Sequence, residues 1–197
     1  MTSIPSQDDA INAAADMMVR AAKRPCTVNA LTEAMQLPPG AFAKMFPTDE
    51  TLETAIVNHA MTSLTQCLLT TLDDYSNDDL RTRLHRTATA YLGWVAENPN
   101  LYRVIASLLL TPQRTSGIVA NCDASFRELF KALLNVDDHS VWPMIMRSCM
   151  FGIADMMLDD YLSIWQPTGK APEESISIAM DEFLSAALQH IDQQNQD

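Results

Sequence analysis

A chain of 197 residues with 47% hydrophobic content is long enough to bury a core as one domain, or as a small head on a larger body. Its net charge of −12 argues against general attraction to nucleic acid or to anionic membranes, so any polyanion contact must come from a local face. The four cysteines, Cys26, Cys67, Cys122 and Cys149, are far apart with no CxxC pair, and no signal peptide or long apolar span accompanies them. This predicts reduced thiols in a cytoplasmic protein, neither secreted nor membrane-embedded.

With only 5 Gly and abundant Ala, Leu and Met, the composition favours helix throughout and predicts an all-α fold of about nine helices. Ile11, Ala14, Ala15, Met18, Val19 and Ala22 mark the apolar face of the first helix, with Asp8 and Asp9 placed where a helix dipole favours negative charge. In TVNALTEAMQLPPGAFAKMF, Thr27 to Phe46, Val28, Leu31 and Met35 repeat at helical spacing. Gln36 to Pro38 breaks the run, and Pro39-Gly40 opens a second short helix carrying Phe42 and Phe46. This is a helix-turn-helix pattern, whose second helix would read DNA.

Thr48 reads as an N-cap for a long helix bearing Leu52, Ile56, Ala60, Leu64, Leu68 and Leu72, and the acidic cluster from Asp73 to Asp79 ends it and caps the next. Leu80, Leu84, Ala88, Tyr91, Leu92 and Val95 define a further helix, which stops at Asn98 with Pro99 starting its successor. Thr111-Pro112 closes that one. Ile118 to Leu134 gives another helix, Asn135 to Ser140 a turn, and Val141 to about Trp165 the most apolar helix, with Pro143 in its first turn. After a loop from Gln166 to Ala171, Pro172 starts the last helix, and DQQNQD is a frayed tail.

Two segments resemble the TetR family of transcriptional regulators. In the first, Thr27, Val28, Leu31, Glu33, Ala34, Leu37, Gly40, Ala41, Phe42, Phe46, Glu50 and Leu52 fall in register with the family's helix-turn-helix signature without a gap. In the second, YLGWVAENPNLYRVI, Tyr91 to Ile105, is similar to a helix-helix junction of the family's regulatory domain. The resemblance implies a DNA-binding domain over residues 1–50 and a helical regulatory and dimerisation domain over 51–197. It also implies a homodimer formed through the last two helices, facing a palindromic double-stranded operator with half-sites roughly 34–36 Å apart. The implied function is a ligand-responsive repressor released from DNA by an effector.

The layer that would touch DNA departs from the family: Ala43 stands at its phosphate-contacting tyrosine, Asp49 at the lysine opening the following helix, and Gln36 at the usual glycine. Residues 1–60 hold four cations against seven carboxylates, a balance of −3, whereas DNA-binding heads are usually positive. Thr27 and Lys44 are the phosphate-contact candidates, with Pro39, Gly40, Ala41 and Ala43 on the reading surface. The alternative is a TetR-like module that binds a small molecule or protein partner and has lost DNA binding.

No GxSxG, HExxH or Gly-rich phosphate loop occurs, and the four His are dispersed, so neither an enzyme, a cofactor site nor a metal site is expected. His59 has no second ligand at metal spacing, and the pairs Asp73-Asp74, Asp137-Asp138 and Asp159-Asp160 read as helix ends and solvated surface. For the regulatory body, Tyr91, Trp94, Tyr102, Phe126, Met146 and Met150 are candidates to line a pocket for a small apolar or aromatic effector, neutral or weakly polar. Packed core is the competing reading of each.

Overall fold

In the computed structural model, residues 5–20, 26–109, 117–134, 136, 138–159, 164, 169 and 172–194 are described. Eight helices and no strands occur among them: α1 (Gln7–Arg20), α2 (Val28–Ala34), α3 (Asp49–Asp74), α4 (Leu80–Glu97), α5 (Pro99–Leu109), α6 (Gly117–Leu134), α7 (Trp142–Leu158) and α8 (Pro172–Gln194). The all-α expectation holds. The sequence features assigned to Thr111-Pro112, Cys122's side chain, most of the loop from 166 to 171 and the final residues lie outside the described part.

The helix starts follow from local chemistry. Ser6 caps α1: its hydroxyl oxygen accepts the Asp9 N–H at 3.2 Å while the Asp9 carboxylate accepts the Ser6 N–H at 3.2 Å, a reciprocal box that the sequence reading missed. Thr48 and Thr51 do the same at the start of α3, with bonds of 3.2 and 3.0 Å. The Asp79 carboxylate accepts the Thr82 N–H at 2.9 Å and the Thr82 hydroxyl at 3.0 Å, and these bonds hold its pKa below the ordinary carboxylate value. Pro99 and Pro143 sit in the first turns of α5 and α7, where the missing N–H leaves no helical bond unmade. The apolar helix predicted to reach about Trp165 is shorter, for α7 ends at Leu158 with Asp159 as its C-cap.

The chain forms two compact units, each discontinuous in sequence: Met1–Thr65 with Asn98–Cys122, and Gln66–Glu97 with Asp123–Asp197. In the first, α1 packs on α5 and less extensively on α2. Ala10, Ile11, Ala14, Ala15 and Met18 are buried, as are Leu101, Tyr102, Val104 and Ile105 of α5, and Asn100 donates to Asp16 across the α1–α5 seam. His59, which has no second ligand at metal spacing in the sequence, lies 3.4 Å from Asp8.

In the second unit α4 packs on both α8 and α7. Leu84, Ala88, Tyr91 and Val95 are buried, and the Tyr91 and Phe151 rings meet at 6.4 Å with a 47° tilt. Arg81 donates to the Asp181 carbonyl and to Ser185, and His85 lies 3.7 Å from the Asp181 carboxylate, joining α4 to α8 by polar contacts along the rim of the seam.

Candidate nucleic-acid interface and ligand grooves

The helix-turn-helix segment starts from a well-capped α2. Thr27 is extended (φ −91°, ψ 151°), and its hydroxyl oxygen accepts the Ala30 N–H at 3.1 Å. A second group closes the same end: the Asp49 carboxylate, 21 residues further along, accepts the Val28 N–H at 2.8 Å. A carboxylate belonging to the chain therefore occupies a backbone donor at the start of α2.

After α2 the backbone departs from the predicted pattern. Gln36 adopts φ 54° and Gly40 φ 78°, both in the left-handed region, and Pro38 and Pro39 between them have no N–H to donate. The predicted second helix opening at Pro39 is consequently not a regular α-helix; residues 39–45 are a chain of turns. Ala41 N–H donates to Pro38 O at 3.0 Å, Ala43 N–H to Gly40 O at 3.0 Å, and Met45 N–H to Phe42 O at 2.9 Å, all three-residue closures. Only Phe46 N–H, which reaches Phe42 O at 2.8 Å, makes a four-residue closure.

The predicted apolar frame is nonetheless in place. Leu31, Phe42 and Phe46 are buried, and the two phenyl rings meet at 6.1 Å with a 48° tilt. Burying each such side chain stabilises the segment by about 1.5–3 kcal/mol relative to exposure, which suffices to hold loosely wound turns. With the frame inside, Thr27, Pro39, Gly40, Ala43 and Lys44 are exposed and Ala41 is half-buried. Five of the six DNA-contact candidates are thus exposed and the sixth is half-buried. Lys44 is the sole Lys or Arg between residues 26 and 60, a stretch that also carries the exposed Asp49 and Glu50.

Of the six pocket candidates, Tyr91, Trp94, Phe126, Met146 and Met150 belong to the second unit and Tyr102 to the first. All six are buried, with exposures of 1–6%. None of them lines the cavity described next.

That cavity, of about 240 Å³, opens on the second unit where the end of α6, residues 138–140 and the first turns of α7 meet. Phe130, Pro143 and Met144 supply its apolar surface, and Arg127, Lys131 and Arg147 its cations. Lys131 lies 3.0 Å from Glu128 and also pairs with Asp138, which raises the lysine pKa and lowers that of the aspartate. Arg147 places its guanidinium 5.5 Å from the centroid of Phe151. The sequence reading missed this groove, although Arg127 and Lys131 stand four residues apart on one helical face and three of the chain's 13 cations fall within it.

The remaining chemistry is sparse. Burial pushes the Cys26, Cys67 and Cys149 thiols above their ordinary value, with Asp49 adding to the effect on Cys26 and Glu97 to that on Cys67. Such thiols are largely protonated near neutral pH and are poor nucleophiles. Among the described residues no three His, Cys, Asp or Glu side chains are grouped to hold a metal ion, and no helix is long and apolar enough to cross a membrane.

The fold and exposed turn segment define an all-α architecture with a helix-turn-helix-like element near one end of the chain. No family model matches the sequence, and no curated protein does. Solved structures do. One of a protein of unknown function from Rhodococcus sp. RHA1 superposes with a TM-score of 0.67 at 18% identity, covering 94% of this chain and 96% of that one. A regulatory protein in the TetR family, from Rhodococcus RHA1, gives 0.60 at 22% identity, with 95% and 98% covered. PfmR, a TetR family transcriptional regulator from Thermus thermophilus, gives 0.56 at 18% identity, with 89% and 96% covered. The chain has the fold of TetR-family regulators.

Proposed function

We propose that this protein is a ligand-responsive transcriptional repressor that binds a palindromic DNA operator as a homodimer. Residues 1–50 make the DNA contacts and residues 51–197 hold the effector and the twin chain. The observation that carries this reading is the segment from Thr27 to Phe46, where a buried Leu31–Phe42–Phe46 frame leaves Thr27, Pro39, Gly40, Ala43 and Lys44 exposed, within a fold shared with TetR-family regulators.

The homodimer has its own support. Of the five large hydrophobic side chains exposed among the described residues, Val141 caps α7, Ile164 lies between α7 and α8, and Ile178 lies on α8. The small apolar or aromatic effector is assigned to the neighbourhood of Tyr91, Trp94, Phe126, Met146 and Met150. These side chains are packed, so admitting a ligand among them requires repacking. An effector that binds the repacked arrangement more tightly shifts the population toward it, and DNA release follows if that arrangement binds DNA less well.

Asp49 favours a second reading, a ligand- or protein-binding module without DNA affinity. Its carboxylate caps α2 through the Val28 N–H and adds negative charge to a stretch whose one Lys or Arg is Lys44. Fluorescence anisotropy of the full chain against its own upstream region and against random duplex, over a series of salt concentrations, separates the two. Saturable, sequence-preferring binding with a negative salt slope, weakened by Lys44→Ala, supports the repressor. Absence of binding at low salt, together with an empty genome-wide fragment selection, transfers the assignment to the second reading.

A further inference from the structure

The turn segment offers very little that can hydrogen-bond to a base. From Leu37 to Phe46 the sequence is LPPGAFAKMF, and Lys44 carries its one polar side chain. The backbone donors are largely spent as well. Pro38 and Pro39 have no N–H, and the N–H groups of Leu37, Ala41, Ala43, Met45 and Phe46 donate to carbonyls of the chain itself at 2.8–3.0 Å. With Phe42 and Phe46 buried, Pro38, Pro39, Gly40 and Ala43 are left exposed and Ala41 half-buried. Polar readout of base edges therefore has Lys44 alone among the side chains of this segment to draw on.

On the basis of the DNA-binding reading, we infer that this segment selects its operator by apolar contact with the 5-methyl groups of thymines in the major groove, with Pro39 and Ala43 as the contacting side chains. Among the groups that a base pair presents in the major groove, the thymine methyl is the one an alanine or a proline can recognise, because the others are hydrogen-bond donors and acceptors. Gly40, with no Cβ, leaves the backbone room to come close to the groove. Charge favours the same outcome. Lys44 is set against Glu33, Asp49, Glu50 and Glu53, so phosphate attraction is weak here and a larger share of the affinity falls to contacts inside the groove. The half-sites are therefore expected to place thymines opposite Pro39 and Ala43.

The test takes the duplex that the full chain enriches from a random pool and replaces the thymines of its half-sites by deoxyuridine. That change removes the methyl groups and leaves every base pair and every hydrogen-bonding edge in place. Fluorescence anisotropy is expected to show weaker binding of the deoxyuridine duplex, by about fourfold for each methyl in contact. In Ala43→Gly the penalty should fall to less than half its size. Because the penalty is a ratio of two affinities of one protein, a loss of folded material cancels, and the comparison stays decisive if the variant is unstable. Equal affinity for the two duplexes, with sequence preference intact, would assign the readout to polar groups such as the exposed Gln36 amide and overturn this inference alone. An unchanged penalty in Ala43→Gly would place its cause in the altered duplex and overturn it as well. If no duplex is enriched or bound, the DNA-binding reading falls and this inference falls with it.

Discussion

The helix-turn-helix segment and the groove between α6 and α7 have opposite endowments. The segment keeps a buried helix-turn-helix frame, with turns in place of its second helix, and has only Lys44 as a cation, set against Glu33, Asp49, Glu50 and Glu53. The groove has no such precedent in its backbone and holds three cations beside an apolar wall. The contrast teaches that architecture and electrostatics are specified by different residues: the buried frame fixes the path of the chain, and the exposed layer can change sign without disturbing it.

The largest expected effect breaks the architectural half of the contrast. Phe42→Ala removes a side chain with 0% exposure and should cost about 3–5 kcal/mol, loosening residues 39–46 while leaving the groove's Met144 resonance in place. Thermal denaturation with residue-resolved hydrogen exchange reads both. A loss shared equally by the groove would show that the two regions unfold as one.

Asp49→Lys attacks the electrostatic half. It changes the local charge by two and frees the Val28 N–H, so non-specific duplex affinity at low salt should rise about tenfold and the log–log salt slope steepen by about one. Unchanged affinity would mean that charge is not what limits DNA contact here. Gln36→Gly addresses the backbone between these effects. With φ at 54°, the glutamine sits where glycine is at ease, and the substitution should raise stability by about 0.5–1 kcal/mol in chemical denaturation.

The smallest effect belongs to the groove. The hydrogen bond from Lys131, then its charge, holds the Asp138 pKa below the ordinary 3.8. Because the folded value is the lower one, this interaction stabilises the protein above the ordinary carboxylate range and is lost as pH falls through the shifted value. Carboxyl carbon shifts should show an Asp138 midpoint below 3.8 that moves back toward it in Lys131→Met. An identical midpoint in both proteins would remove the pairing from the account.

Much of the frame was legible from local patterns. Leu52, Ile56, Ala60, Leu64 and Leu68 are buried on α3 as their spacing predicted, and Asp79 caps α4. Pro172 begins α8. What escaped the sequence depends on groups far apart in it. Asp49 was read as a missing lysine, and its bond to Val28 N–H needs the turn segment to fold back over 21 residues. The turns at 39–45 follow from a left-handed Gly40 beside two prolines, whereas Pro39-Gly40 followed by Phe42 and Phe46 at helical spacing suggested a helix. The groove requires Asp138 to return to Lys131 around the α6–α7 connection, which periodicity along either helix cannot reveal.

The packing of α1 on α5 has a consequence for the order in which the molecule is assembled. As the chain emerges from the ribosome, α1 is made well before the partner that covers Ile11 and its neighbours, which is complete only at Leu109. While the residues between α1 and α5 are being made, that apolar face has α2 and little else to rest on. The unit that holds α1 therefore cannot be finished until α5 is made, and until then the nascent chain carries an adhesive apolar surface.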